Sequence, residues 1–203
     1  TLGVLGVNLI YGAYHHTDNP RELVVSLYDT LDKDQLEIDM INFSGPRFRY
    51  VDNRLMSLHL LRNEMTEAVM FGPDGYNILP ADLLYKKNIF AMRGSFRPVT
   101  NVNIDMLHSG LDMFRKDHPQ ITDENFQVLF EITLTNLRQE GEIDERDFLN
   151  RADILCKLGY NVLISNYQEY YKLVDYFSEY TRNRTQIGLA MGVNNLLAVF
   201  TEE

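Results

Sequence analysis

Three charged residues stand inside apolar runs, where a charge must either find a partner or be kept for chemistry. Arg93 sits in Ile89-Phe90-Ala91-Met92-Arg93-Gly94-Ser95-Phe96 and Glu131 in Val128-Leu129-Phe130-Glu131-Ile132-Thr133-Leu134; Asp39 sits in Leu36-Glu37-Ile38-Asp39-Met40-Ile41. Taking a charge into a sheet interior costs several kcal/mol unless an opposite charge answers it. Two arrangements meet that requirement. Arg93 pairs with Glu131 or Asp39 in a buried ion network, or the same residues line an open mouth. In the second case Glu131 or Asp39 is the catalytic acid or base and Arg93 clamps an anion.

Arg93 to Thr100 is the most distinctive stretch, because Arg93, Ser95 and Arg97 put two guanidinium forks and a hydroxyl around the flexible Gly94. Such forks match phosphate or carboxylate. The competing reading is that both arginines pair with the chain's own surplus acids. Met191-Gly192-Val193-Asn194-Asn195 sets a glycine before a helix start, where free amides can hold a phosphate and Asn194 would help bind it. Asn194 serves equally as a plain helix cap. Asn42, Ser165, Asn166 and Tyr167 fall at the ends of expected strands and form a candidate substrate-binding set. Tyr11, His15, Ser44, Asp74, Thr133 and Asn195 reach the same edge in this reading.

No two of the five histidines have the three- or four-residue spacing of a helical metal site, and there is a single cysteine, so a metal centre is not expected. No motif names a cofactor. Cys156 has the spacing of a buried helical thiol in Ala152-Asp153-Ile154-Leu155-Cys156. The aromatic group Tyr167, Tyr170, Tyr171, Tyr176, Phe177 and Tyr180 recurs near helical spacing, which predicts core packing or a contact in a homo-oligomer or larger assembly.

The elements that must position these residues alternate in type, with short β-branched or aromatic runs giving way to stretches of helical period. The expected strands are 2–11, 36–43, 68–71, 88–92, 126–134, 161–165 and 186–191. Helices are expected over 21–31, 53–64, 80–86, 103–115, 136–158, 167–180 and 194–200. Asn19-Pro20 and Asp52 read as helix starts and Gly159 as a stop. Strict alternation predicts one α/β domain over 1–203 of about seven strand-helix units, as a (β/α)-barrel or an open barrel-like parallel sheet. The chain opens inside an apolar run without an initiator methionine, so the expectation is part of a longer chain with an eighth strand beyond Glu203.

Twenty-nine acidic against 19 basic residues give a net charge of -10. That field repels phosphate backbones, so no nucleic-acid partner is expected. No apolar run is long enough to span a bilayer and no signal segment is evident, so the reading is a soluble cytoplasmic chain without membrane insertion.

Several stretches, Gly6-Val7-Asn8-Leu9-Ile10-Tyr11-Gly12-Ala13, Glu37-Ile38-Asp39-Met40-Ile41 to Phe43-Ser44-Gly45-Pro46, Val51-Asp52-Asn53-Arg54-Leu55-Met56-Ser57-Leu58, Arg93 to Met106 and Leu163-Ile164-Ser165-Asn166-Tyr167 with Glu169-Tyr170-Tyr171, together resemble a family of longer bacterial proteins. That family carries two labels, nicotinate-nucleotide adenylyltransferase and TonB-dependent receptor. The receptor label implies a membrane barrel of many alternating strands, which this chain lacks. The adenylyltransferase label implies a His-x-Gly-His-like turn after the first strand, where this chain has Gly12-Ala13-Tyr14-His15-His16. No catalytic residue carries over. The residues point to an enzyme handling a small phosphorylated or carboxylated metabolite at the mouth of the barrel, with Arg93 and Arg97 on the anion and Glu131 or Asp39 moving protons, and the resemblance implies a setting in pyridine-nucleotide metabolism; the alternative is a non-catalytic structural or assembly subunit.

Overall fold

From Asn88 onward the apolar runs pair side by side as the alternation requires. The computed structural model describes residues 1–138, 141–181 and 185–200, without the side chains of 194 and 198–200. Its strands are β1 (Ala68–Phe71), β2 (Asn77–Ile78), β3 (Asn88–Arg93), β4 (Phe126–Thr133), β5 (Asn161–Ser165) and β6 (Ile187–Ala190). They form one open sheet in the order β2-β1-β5-β4-β3-β6, not a closed barrel. Strands β3 to β6 are parallel, whereas β1 runs antiparallel to both β2 and β5. The strand order reverses between β3 and β6. In such sheets ligands bind outside the carboxyl ends of the strands, beside the reversal.

The helices are α1 (Leu2–His15), α2 (Pro20–Ser26), α3 (Asn53–Arg62), α4 (Pro80–Leu84), α5 (Asn101–Asp117), α6 (Leu134–Leu137), α7 (Glu145–Lys157), α8 (Tyr170–Tyr180) and α9 (Val193–Phe200). Their starts follow local chemistry. Asn19 accepts from the Glu22 amide ahead of Pro20, Asp52 from Arg54, and Asp144 from Arg146 and Asp147. Thr100 and Asn103 close a reciprocal capping box on α5. After α7 the chain turns at Gly159 with φ +88°, a conformation that costs glycine little.

Because successive strand residues point to opposite faces, the sheet builds two cores. Phe90, Met92, Phe130, Ile132, Val162 and Ile164 pack with α3, α5 and α7 side chains such as Leu58, Leu107 and Phe148. Ile89, Ala91, Leu129 and Leu163 pack with Leu84 of α4 and Leu173, Tyr176 and Phe177 of α8. A third cluster joins Leu23, Val24 and Leu27 to Met56 and Leu60, and so ties α2 to α3.

Two expected strands are corrected. Residues 2–11 belong to α1, because an apolar run without a clear period fits a helix as well as a buried strand. The 36–43 segment runs without regular secondary structure and joins no strand; its Ile38 amide donates to Met65 O at 2.9 Å. Ile38, Ile41 and Phe43 pack with the third cluster while Asp39 is exposed. Asp39 is therefore not a charge inside a sheet. With both segments outside the sheet, too few strands remain to close a barrel.

Below this region Arg21 and Arg62 approach Glu145 at 2.7 and 3.8 Å. The Nε2 of His59 is buried without a hydrogen-bond partner among the described residues. Burial, reinforced by the charge of Arg21, holds its imidazole below the usual value of 6.5. The fold thus favours neutral His59, and stability is lost as pH falls because the unfolded chain takes up a proton that the folded chain refuses. Urea unfolding between about pH 7 and about pH 5 should show a steeper loss for the unmodified chain than for His59→Leu. Equal slopes would contradict this.

Candidate functional site

Arg93 and Glu131 are register partners on β3 and β4, and alternation turns both toward α8. Arg93 Nε donates to Glu131 Oε2 at 2.5 Å and Nη2 to Oε1 at 3.0 Å. Ser165, at the end of β5, donates its hydroxyl to Oε1 at 2.5 Å. Glu131 is fully buried, and the Arg93 side chain is 7% exposed. Burial pushes the Glu131 carboxyl up from its usual range, while the Arg93 guanidinium and the Ser165 hydroxyl pull against that rise.

The guanidinium reaches further. Nη2 donates to Tyr167 O at 2.9 Å, Nη1 donates to Gln168 O at 2.7 Å, and the Tyr170 ring lies 4.4 Å away. One ion pair therefore fastens the connection between β5 and α8 onto the sheet. Four of the five guanidinium N–H groups are engaged in these bonds. Glu131 is sealed beneath Arg93, so its place is to orient the arginine.

Above Arg93 lies a cavity of about 370 Å³ lined from every parallel-strand exit. Gly94 and Ser95 follow β3; Thr133 ends β4, and Thr135 and Asn136 lie on α6 directly after it. Gln168 and Tyr170 come after β5, and Asn195 lies on α9 after β6. No carboxylate is among these lining residues. Thr133 accepts from the Asn136 amide at 3.1 Å, and Asn195 Nδ2 donates to the Tyr170 hydroxyl at 3.0 Å, linking α9 to α8.

The β3 exit is shaped by Phe96, which adopts φ +45° and packs its ring on Phe130 at 4.9 Å. A Cβ on Gly94 would come within 2.8 Å of that ring. From the other side Arg151, buried on α7, donates to Ser95 O at 2.9 Å and Asn136 O at 3.2 Å and also bonds Asp147. Arg151 thus braces two cavity walls at once. Sequence reasoning missed it. The available signal was Asp147 four residues before Arg151, on a helix whose Phe148, Ala152 and Leu155 are buried.

Among the expected site residues, Arg93, Glu131, Ser95, Ser165 and Tyr167 converge, the last through its carbonyl. Arg97 is exposed beyond Phe96, 3.4 Å from Asp147, and does not line the cavity. Asn166 is exposed, its amide donating to Glu67 O at 2.9 Å. Asn42 accepts from Asn77 beside β2, and exposed Asp39 is also outside the cavity lining. The Asn194 side chain lies outside the described residues. Tyr11 and His15 are on α1, and Asp74 is in the β1–β2 turn. The aromatic helix turns Tyr176 and Phe177 inward, leaving Tyr171 as its prominent exposed ring.

A larger cavity, about 530 Å³, lies by that turn, at the amino ends of the parallel strands. Its Arg54 is already bonded to Asp52 and Asp153. The smaller cavity is the better candidate because its arginine is fixed from below and its walls are uncharged apart from that arginine. Among the described residues no His, Cys, Asp or Glu group is placed to hold a metal ion, and no helix is long and apolar enough to cross a membrane. No family model, curated protein or solved structure matches the chain.

Removing one partner of a buried pair leaves the other uncompensated, so Arg93→Met and Glu131→Gln should each destabilise by about 3–5 kcal/mol. The double variant should lose less than the sum of the two, since it removes both charges. Urea unfolding of the four proteins checks this; small, additive losses would contradict it.

Proposed function

We propose that the chain binds a small metabolite carrying a phosphate or carboxylate in the cavity at the carboxyl ends of β3, β4, β5 and β6. The observation that carries this reading is a guanidinium fixed on the wall of a carboxylate-free cavity, in a chain of net charge -10. Here Arg93 supplies a positive edge, and Ser95, Thr133, Thr135, Asn136 and Asn195 supply neutral hydrogen-bonding groups around it.

The same geometry limits the chemistry. Glu131 is buried beneath Arg93 and Asp39 is outside the cavity lining, so neither carboxylate is placed to move a proton on a ligand there. Recognition and charge neutralisation are what these residues can supply. The resemblance to proteins labelled nicotinate-nucleotide adenylyltransferase makes a pyridine nucleotide one ligand to try, alongside simpler phosphorylated and carboxylated metabolites. A buried thiol at Cys156, pushed up by burial, and an acidic composition fit a cytoplasmic setting.

Thermal-shift and calorimetric titration with phosphorylated and carboxylated metabolites at millimolar concentration tests the proposal. A binder should raise the melting temperature. Thr135→Val should weaken it about tenfold, the equivalent of 1.4 kcal/mol, without lowering the melting temperature of the free protein, and Asn195→Ala should weaken it as well. If no compound of either class binds, or if binding ignores both substitutions, the proposal fails.

A further inference from the structure

The cavity above Arg93 is walled by residues that the fold holds through their backbones. Two buried guanidiniums do most of the holding: Arg151 donates to Ser95 O at 2.9 Å and to Asn136 O at 3.2 Å, and Arg93 donates to Gln168 O at 2.7 Å. Thr135 is held alike, its carbonyl accepting from the Arg138 amide at 3.2 Å. The side chains of these four residues line the cavity, and among the described residues none of them makes a hydrogen bond within the protein. Two hydroxyls and two carboxamides are thus presented from fixed backbone positions with their hydrogen-bonding capacity unused.

We infer that the ligand of this cavity is a small polyhydroxylated acid, a sugar acid or sugar phosphate that carries no base. The inference rests on the anion-binding reading of the same cavity and narrows it. Hydroxyls and carboxamides both donate and accept, whereas a bare phosphate or carboxylate only accepts. A plain anion would leave the amide oxygens of Asn136 and Gln168 without donors; the hydroxyls of a sugar chain provide them. Arg93 points the same way, because one N–H remains on Nη1 after its bonds to Glu131, Tyr167 and Gln168. One N–H gives the acid group a single charged bond, not the two-pronged grip with which an arginine holds an anion unaided. The rest of the affinity must come from the body of the ligand. Among the described residues the lining has no purely aliphatic side chain, and its one ring, Tyr170, has a face covered by the guanidinium at 4.4 Å and its hydroxyl bonded to Asn195. A purine or pyridine ring therefore lacks the apolar slot that small-molecule sites usually provide. The volume of about 370 Å³ lies near the lower end of the range for such sites and suits a monosaccharide.

Calorimetric titration of the unmodified chain with two matched pairs tests this: gluconate against hexanoate, and ribose phosphate against inorganic phosphate, with adenosine monophosphate beside them. In at least one pair the hydroxylated member should bind about tenfold or more tighter than its stripped partner, and it should also outbind adenosine monophosphate. Asn136→Ala and Gln168→Ala should each weaken the hydroxylated ligand about fivefold and leave binding of the stripped partner unchanged. Melting temperatures of the free variants check that they remain folded. Equal binding within both pairs, or a nucleotide that binds tighter than both hydroxylated acids, would overturn the inference and leave the anion site standing. Substitutions that weaken both members of a pair alike would assign the two side chains to the shape of the wall and likewise overturn it. No binding by any of the five compounds would overturn the anion site together with the inference.

Discussion

A carboxylate taken fully out of water must be answered on each oxygen, and in this fold the answer to Glu131 organises one whole edge of the sheet. Arg93 and Ser165 answer it, and they come from the strands on either side of β4. The guanidinium so held is then in reach of the Tyr167 and Gln168 carbonyls, which fixes the start of α8. Tyr170 covers it and in turn bonds Asn195. A single buried charge thus links three strands and two helices. A buried pair of this kind is weak evidence for stability by itself, since apolar residues of the same shape often do as well. Its consequence here is positional: it leaves a cation at the wall of a cavity that no carboxylate enters.

The remaining walls follow from topology and from α7. Parallel strands send all their exits to one edge, so residues far apart in sequence, from Gly94 to Asn195, reach one cavity without any long loop. Arg151 then holds the β3 exit and the α6 region together through their carbonyls. The antiparallel β1–β2 hairpin extends the sheet at its other side but points its turn to the opposite edge, where Arg54 is neutralised by Asp52 and Asp153. The two cavities differ in lining: one is uncharged apart from Arg93, whose partner Glu131 lies outside the lining, and the other sets Asp52, Asp74 and Asp153 beside Arg49 and Arg54.

Much of this is legible from residue 68 onward because the strands there are short, apolar and separated by helices of clear period. Arg93 and Glu131 can be paired from sequence, since each stands alone among apolar neighbours on consecutive strands. Asp39 looks the same in sequence. It differs because Ile38, Ile41 and Phe43 turn inward from a segment that never pairs as a strand, a distinction that alternation alone does not carry. Residues 2–11 have no period to separate strand from helix, and a two-residue strand such as β2 leaves no pattern at all. Arg151 is hidden for another reason: two of its partners are backbone carbonyls, which have no sequence signature.

The central claim is that Arg93 is immobilised by Glu131 while one edge stays available to a ligand. A proton–nitrogen NMR spectrum of the arginine side chains tests it most directly. The Nε–H of Arg93 should appear as a resolved, slowly exchanging signal at neutral pH, should vanish into the fast-exchanging envelope in Glu131→Gln, and should shift when a phosphate-bearing ligand is added. An Arg93 Nε–H that exchanges as fast as that of exposed Arg97 in the unmodified protein would contradict the account.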